Sequence, residues 1–144
     1  MAIRYWTGSH TKHKLVYHLV FIPKYRKRIL VGKVAKKIRS LMYEACEMNR
    51  WWIHEIDVKR DHVHVMIQIK PTDKVSGEVK ILKGGSSIKI QKEYPELEEF
   101  VWGGKFWSDG YFAETSGRLS EVRLRSYIRE QCSSMTRKVQ SPGL

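Results

Sequence analysis

The stretch that decides the fold lies in the middle of the chain and reads Asp61-His62-Val63-His64-Val65-Met66-Ile67-Gln68-Ile69. Apolar and polar side chains alternate along most of it, and a period of two predicts a β-strand that is buried on one face. We expect the apolar face to pack against helices. This face consists of Val63, Val65, Ile67 and Ile69. The opposite face then carries His62, His64, Met66 and Gln68.

Further strands and helices are predicted on both sides of this strand. Three other runs are rich in β-branched and aromatic residues and predict strands. They are Leu15–Ile22, Trp51–Val58 and Tyr111–Ala113. Helical spacing of apolar residues predicts helices over 33–46 and 75–94, and a third helix that Ser120 can cap. The order strand, helix, strand, strand, helix, strand, helix predicts an α+β fold. In this fold, helices pack on a ferredoxin-like or RRM-like antiparallel sheet, and one additional C-terminal helix follows.

Gly84 and Gly85 interrupt the second helical run. Each glycine costs a helix interior about 1 kcal/mol relative to alanine. The pair therefore predicts either a break in the helix or a close approach of the backbone to a phosphate.

The composition restricts the chain to a few classes of protein. Its length of 144 residues predicts one domain over 1–144, with residues 1–11 and 136–144 as peripheral arms. Lys and Arg number 27 against 15 Asp and Glu, and the net charge of +12 favours a polyanionic partner, most commonly nucleic acid. Two cysteines and the lack of a long apolar run exclude a disulfide-stapled secreted module and a membrane protein. We expect a cytoplasmic protein.

Two imidazoles on one face of the central strand could bind a single ion. His62 and His64 lie two residues apart, which places their Cα atoms roughly 6–7 Å apart and lets both rings reach one divalent cation. The alternative is an exposed polar face with two ordinary histidines. Both interpretations stay open on the spacing alone.

Tyr127 and Gln131 lie four residues apart in the third predicted helix, so they share one helix face. That arrangement places a phenol, a potential nucleophile, beside an amide that could bind a cation. Arg123, Arg125 and Arg129 surround the pair with positive charge. The alternative is an amphipathic helix whose tyrosine packs at the edge of the core and whose glutamine is solvated.

Taken together, these residues resemble a known family. His62-Val63-His64 matches the HUH motif (His, bulky hydrophobic residue, His), and Tyr127 with Gln131 matches a single catalytic tyrosine and its trailing amide. The chain resembles the single-tyrosine HUH transposases of small bacterial and archaeal insertion sequences over residues 12–135. Three further segments support the resemblance. They are Lys24-Tyr25-Arg26, Leu82-Lys83-Gly84-Gly85-Ser86-Ser87 and Trp107-Ser108-Asp109-Gly110-Tyr111-Phe112.

The resemblance implies an activity, a cofactor and a partner. Members of this family cut and rejoin single-stranded DNA at element ends through a 5′-phosphotyrosine link, here at Tyr127, and recognise DNA hairpins near those ends. It implies a divalent ion, Mg²⁺ or Mn²⁺, held by His62, His64 and Gln131. It also implies a homodimer in which the tyrosine acts across subunits, although the spacing itself leaves the choice between one subunit and two open.

Cations interleaved with aromatic or small residues predict contacts to single-stranded DNA. The candidate residues are Lys24, Tyr25, Arg26, Arg28, Lys83, Ser86, Ser87 and Arg123. Without a DNA contact, residues 24–28 would form a solvated turn, and Gly84 would mark the end of a helix. His18 lies in the first predicted strand, where we expect a hydrogen-bonded core histidine.

Two other functions compete with a mobile transposase. A non-catalytic nucleic-acid-binding module would explain the charge and the aromatic residues, but not two histidines aimed at one point. A domesticated relative that nicks chromosomal hairpins would share the same active site, so only its DNA substrate or its genomic context would distinguish it.

Overall fold

The computed structural model describes residues 6–7, 12–13, 15–100, 105–115 and 122–130. Two short strands, β1 (Trp6–Thr7) and β2 (Lys12–His13), pair with each other. Four longer strands form the main antiparallel sheet. They are β3 (Leu15–Phe21), β4 (Trp52–Lys59), β5 (His62–Ile69) and β6 (Phe112–Thr115). Their order in the sheet is β4-β5-β3-β6, which places the histidine strand β5 in the interior of the sheet.

Three α-helices accompany the sheet in the described part of the chain. Helix α1 (Gly32–Met48) connects β3 to β4, and helix α2 (Val75–Glu93) lies between β5 and β6. Helix α3 covers residues 122–130 and follows β6. The element order and the sheet order are those of the predicted α+β, ferredoxin-like fold with an additional C-terminal helix. Strand β5 covers His62–Ile69 of the quoted stretch, and the bounds of the other three long strands differ from the predicted ones by one or two residues.

The main core lies between one face of the sheet and helices α1 and α2. The predicted apolar face of β5 is almost fully buried there, because its side chains point toward both helices. Helix α1 contributes Ile38, Leu41, Met42 and Cys46 to this core, and helix α2 contributes Val79, Leu82 and Ile90. Burial of each large aliphatic side chain stabilises the fold by roughly 1.5–3 kcal/mol, so this face fixes the register of β5.

Helix α2 continues through Gly84 and Gly85, so the predicted break does not occur. Both glycines face solvent, and buried residues recur at helical spacing on the opposite face across the pair. These residues are Val79, Leu82, Ser86 and Ile90. Their packing outweighs the low helix propensity of two glycines.

Helix α3 covers part of the opposite face of the sheet. Leu124 and Ile128 pack against Val20 and Ile22 in a second, smaller core. Val20 lies directly opposite His64 in the β3–β5 pairing, and residues paired in this way project to the same face. Helix α3 therefore lies on the face that carries the histidines.

Some predicted features fall outside the described part of the chain. These are Ser120 as a helix cap, Gln131 as a metal ligand and the arm 136–144; within residues 1–11 the structure describes only β1. Among the described helices, none is long and apolar enough to cross a membrane.

Candidate active site

His62 begins strand β5 and makes a hydrogen bond to its neighbour in sequence. Its Nδ1 lies 2.9 Å from Oδ1 of Asp61. A carboxylate can only accept, so Nδ1 donates, and in the neutral ring Nε2 keeps its lone pair. That tautomer is the one a metal-binding histidine needs when its outer nitrogen is the ligand.

Asp61 bridges His62 to the loop after β3. Its second carboxylate oxygen accepts a hydrogen bond from Nε of Arg26 at 2.8 Å. Partial burial acts to raise the pKa of Asp61, but the hydrogen bonds from Arg26 and His62 outweigh it and hold this pKa below its ordinary value. Asp61 is therefore ionised near neutral pH, as the bond from His62 requires.

His64 contacts a third histidine. Its Nε2 lies 2.8 Å from Nδ1 of His18, and the two rings stack with centroids 5.0 Å apart. Both side chains are buried, at 8% and 3% exposure. Burial lowers the pKa of His64, and the neighbouring His18 lowers it further. His64 is thus neutral at pH 7, and the expectation that His18 is a hydrogen-bonded core histidine is confirmed.

The two histidines of the predicted motif have properties suited to a divalent cation. His62 offers Nε2, and His64 is neutral, as an imidazole ligand must be. The described residues contain no group of three His, Cys, Asp or Glu side chains that could hold a metal. A third protein ligand would therefore be a donor of another type or a residue outside the described segments, such as the amide of Gln131. Two imidazoles and an amide would leave coordination positions open for phosphate oxygens and water.

Tyr127 lies on helix α3, with its ring against the small core. The ring centroid lies 5.7 Å from that of Phe112. Its hydroxyl is buried and makes no hydrogen bond within the described part of the chain. Burial raises the pKa of Tyr127 to about 12. A buried hydroxyl without a partner costs free energy, so this group is expected to interact with something beyond the described residues.

The predicted DNA contacts divide into exposed and internally bonded groups. Arg28 and Arg123 are exposed, and Lys24 lies with Nζ 5.7 Å from the ring centroid of Tyr25. In contrast, Ser86 is 4% exposed; its hydroxyl donates to the carbonyl of Leu82 and accepts from the Trp107 indole at 2.9 Å. The prediction that Ser86 contacts DNA does not fit this geometry, because burial separates its hydroxyl from solvent.

Lys83 also bonds within the chain. Its ammonium donates to the carbonyls of Ser108 and Gly110 at 2.7 and 2.8 Å, so it fastens segment 105–111 to α2. Ser87 accepts from the backbone amide of Phe106 at 3.3 Å.

Between α2 and segment 105–111 lies a cavity of about 560 Å³. Its lining includes Lys80, Lys83, Gly84, Ser87, Lys105 and Trp107.

Comparisons with known proteins place this geometry in a family. Residues 11–131 match the model of the family described as "Transposase IS200 like". The chain belongs to the IS200-like transposase family. The ISDra2 transposase TnpA of Deinococcus radiodurans is 32% identical over 124 residues, which are 86% of this chain and 89% of that protein. The transposase for insertion sequence element IS200 of Salmonella typhimurium is 31% identical, over 85% of this chain and 80% of its own length.

Solved structures agree with the fold of this transposase. A crystal structure of a candidate transposase from Deinococcus radiodurans superposes with a TM-score of 0.82 at 28% identity, covering 88% of this chain and 97% of the other. A REP-associated tyrosine transposase bound to a REP hairpin superposes with a TM-score of 0.54 at 10% identity, over 83% of this chain and 68% of the other. The second likeness concerns the fold alone.

Membership of this family gives the transposase its reaction class, DNA cleavage and strand transfer. Two neighbours of the site were not predicted from the sequence, Asp61 as a partner of His62 and His18 as a partner of His64. Asp61 directly precedes the HUH motif, so its position next to His62 was a usable signal. The pairing of His18 depends on the register between β3 and β5, for which the sequence contains no direct signal.

Proposed function

We propose that this transposase cleaves and rejoins single-stranded DNA at insertion-sequence ends through a covalent 5′-phosphotyrosine formed by Tyr127. One observation carries the proposal: the Tyr127 hydroxyl is buried, without a hydrogen-bond partner among the described residues, on the sheet face that carries His62 and His64. A buried nucleophilic hydroxyl of this kind can make its polar contacts with the substrate when the substrate binds.

The proposed reaction is a transesterification in two directions. In cleavage, the phenol oxygen of Tyr127 forms a bond to phosphorus and the bond to the 3′-oxygen breaks; the phenol loses its proton and the 3′-hydroxyl gains one. In rejoining, a 3′-hydroxyl attacks the phosphotyrosine and releases the phenol. The covalent link conserves the energy of the phosphodiester, so resealing needs no ATP.

Burial raises the pKa of Tyr127 to about 12, so its phenol is harder to ionise at neutral pH than that of an exposed tyrosine. Positive charge near the hydroxyl must therefore favour the phenolate as the reaction proceeds. His62, His64 and Gln131 would hold a divalent cation, Mg²⁺ or Mn²⁺, which would supply positive charge beside the phenol and the phosphate. The two imidazoles favour Mn²⁺ more than an all-oxygen site would.

DNA binding is assigned to the loop after β3 and to the cavity beside α2. Lys24, Tyr25 and Arg28 in the loop and Arg123 on α3 combine positive charge with an aromatic ring. Ser87 and Lys83 line the cavity together with the exposed Lys80 and Lys105. We propose that subterminal hairpins bind this transposase, since the same fold holds a REP hairpin in one structural neighbour. The proposal includes a cytoplasmic homodimer and leaves open whether the tyrosine acts in its own subunit or in its partner.

The test is a cleavage assay on single-stranded DNA that carries the ends of the insertion sequence, with Mg²⁺ or Mn²⁺. We expect cleaved strands and a covalent protein–DNA band, both abolished by EDTA, by Tyr127→Phe and by His62→Gln. Tyr43→Phe, which alters an exposed tyrosine on α1, is the matched control and should leave both products unchanged.

One observation favours a non-catalytic DNA-binding module instead: the Tyr127 ring packs against Phe112 as a structural tyrosine would. That function predicts binding to the same DNA without any cleavage in either metal. Cleavage that persists in Tyr127→Phe would contradict the assignment of the nucleophile.

A further inference from the structure

A continuous set of hydrogen bonds connects the loop after β3 to the first histidine of the motif. Nε of Arg26 donates to Oδ2 of Asp61 at 2.8 Å, and Nδ1 of His62 donates to Oδ1 of the same carboxylate at 2.9 Å. One carboxylate oxygen is thus occupied by the guanidinium and the other by the imidazole. The two contacts together fix the plane of the carboxylate beside the His62 ring.

The backbone of the loop holds Arg26 in place for this contact. Tyr25 and Arg26 have φ angles of 61° and 52°, a region that side chains other than glycine rarely adopt. The amide of Lys24 donates to the carbonyl of Phe106 at 2.9 Å. On the other side of the loop, the amide of Leu30 donates to the carbonyl of Arg60 at 3.1 Å, in the turn between β4 and β5. The loop is therefore fastened on both sides of Arg26 and next to Asp61.

We propose that Arg26 and Asp61 are positioning residues for His62: Arg26 orients the Asp61 carboxylate, and Asp61 holds His62 with Nδ1 protonated and Nε2 available to a divalent cation. This inference rests on the proposed function, in which His62 is a metal ligand. It gives Arg26 a different role from the DNA contact predicted from its charge, since the Nε of Arg26 is engaged by the carboxylate.

The chemistry explains why both residues are needed. A neutral imidazole carries one proton on one of its two nitrogens, and a carboxylate at Nδ1 selects the tautomer whose Nε2 can bind a metal. The planar guanidinium of Arg26 presents N–H groups in a fixed geometry, which a lysine cannot reproduce. Loss of an outer partner of this kind commonly weakens metal binding by about 10- to 100-fold.

The test measures Mn²⁺ affinity in the absence of DNA, by titration calorimetry or by the electron paramagnetic resonance signal of free Mn²⁺. We expect Asp61→Asn and Arg26→Lys to weaken Mn²⁺ binding by about 10- to 100-fold. Binding of a single-stranded oligonucleotide in EDTA should stay within about twofold of the unmodified protein, since neither residue is assigned to DNA. Arg28→Lys is the matched control in the same loop and should leave Mn²⁺ affinity unchanged.

The outcomes separate this inference from the proposed function. If His62→Gln removes Mn²⁺ binding but Asp61→Asn and Arg26→Lys do not weaken it, the positioning role is wrong while the metal site stands. If His62→Gln leaves Mn²⁺ binding unchanged, the metal site itself is wrong. If Arg26→Lys weakens DNA binding in EDTA and not Mn²⁺ binding, Arg26 is a DNA contact.

A second measurement needs no variant that could fail to fold. Nitrogen-15 chemical shifts of the His62 ring in the unmodified, metal-free protein report which nitrogen carries the proton. We expect the Nδ1-protonated tautomer. An Nε2-protonated ring at neutral pH would overturn the proposal.

Discussion

Nδ1 of His18 on β3 lies 2.8 Å from Nε2 of His64 on β5, and both rings are buried. One of the two nitrogens donates and the other accepts, so the contact satisfies one polar atom of each ring in the interior. The contact also means that a cation reaching Nε2 of His64 must replace the contact with His18. His18 therefore gives Nε2 of His64 a hydrogen-bond partner while no metal is bound.

Replacing His18 should destabilise the metal-free protein. In His18→Phe the Nε2 atom of His64 loses its partner, and we expect the free energy of unfolding in EDTA to fall by about 1–3 kcal/mol. Saturating Mn²⁺ should stabilise this variant by more than it stabilises the unmodified protein, because the metal then satisfies an orphaned nitrogen. Chemical denaturation with and without Mn²⁺ measures both effects.

The control for that experiment is His54→Phe. This variant loses a hydrogen bond of similar length, 2.7 Å from His54 to Oε1 of Gln68, which involves neither His62 nor His64. The His54→Phe variant should have a lower free energy of unfolding in EDTA. Mn²⁺ should raise that free energy by the same amount as in the unmodified protein. Equal Mn²⁺-dependent gains in His18→Phe and in the unmodified protein would show that Nε2 of His64 is not the metal-binding atom.

Glu78 should make stability depend on pH. Its side chain is 1% exposed, neither carboxyl oxygen has a hydrogen-bond partner within the described segments, and burial together with Asp73 raises its pKa from 4.5 to about 8. The folded state therefore binds this proton more tightly than the unfolded state. The stability contribution is fully present below about pH 4.5 and is lost as the pH rises toward 8. At pH 7 the loss is about 3 kcal/mol.

Glu78→Gln removes this ionisation. We expect the variant to match the unmodified protein near pH 4.5 and to exceed its unfolding free energy at pH 8, in urea denaturation at both pH values. Glu96→Gln, an exposed position, is the control and should leave the pH profile unchanged. A Glu78→Gln profile that retains the original slope would contradict the assignment.

Lys83 should matter for stability because its ammonium bonds two backbone carbonyls of segment 105–111. Lys83→Met leaves the carbonyls of Ser108 and Gly110 without this donor, and we expect a loss of about 1–3 kcal/mol in unfolding free energy. Lys80→Met, on the same helix and lining the same cavity, should change stability by less than about 0.5 kcal/mol. Equal effects in the two variants would exclude the fastening role of Lys83.

Gly84 and Gly85 provide a test of why glycine occurs in the middle of α2. A Cβ added at either position meets no atom within 4 Å, so alanine fits without a clash. We expect Gly84→Ala to raise the unfolding free energy by about 1 kcal/mol, because alanine favours the helix. If the bare backbone is needed for close approach of a phosphate, the same variant should bind hairpin DNA more weakly in an anisotropy assay. Unchanged DNA binding would remove the functional reason for glycine at position 84.

The sequence was sufficient to predict the fold because its strongest pattern is local. Alternation in β5 and helical spacing in α1 reflect burial on one face, and burial determines these elements. The continuity of α2 across Gly84 and Gly85 was not predictable, since it depends on packing against α1 and the sheet. The same applies to Ser86, whose burial depends on the position of Trp107.

The two histidines of the candidate site could be predicted from the sequence, but their hydrogen-bond partners could not. The spacing of His62 and His64 identifies one face of a strand, whereas His18 and His64 are 46 residues apart in sequence and their contact depends on the register of β3 with β5. The charge of Arg26 suggested a contact to DNA. Its positive φ angle and its hydrogen bond to Asp61, neither of which the sequence shows, connect it to His62 through that carboxylate.

The most direct test of the central claim is to identify the residue that becomes linked to DNA. Single-stranded insertion-sequence ends are incubated with the protein and Mn²⁺, the covalent product is digested with protease, and the modified peptide is sequenced by mass spectrometry. We expect a 5′-phosphate ester on Tyr127 and a free 3′-hydroxyl on the released strand. A DNA adduct on any other residue, or strand cleavage by the active protein without an adduct, would contradict it.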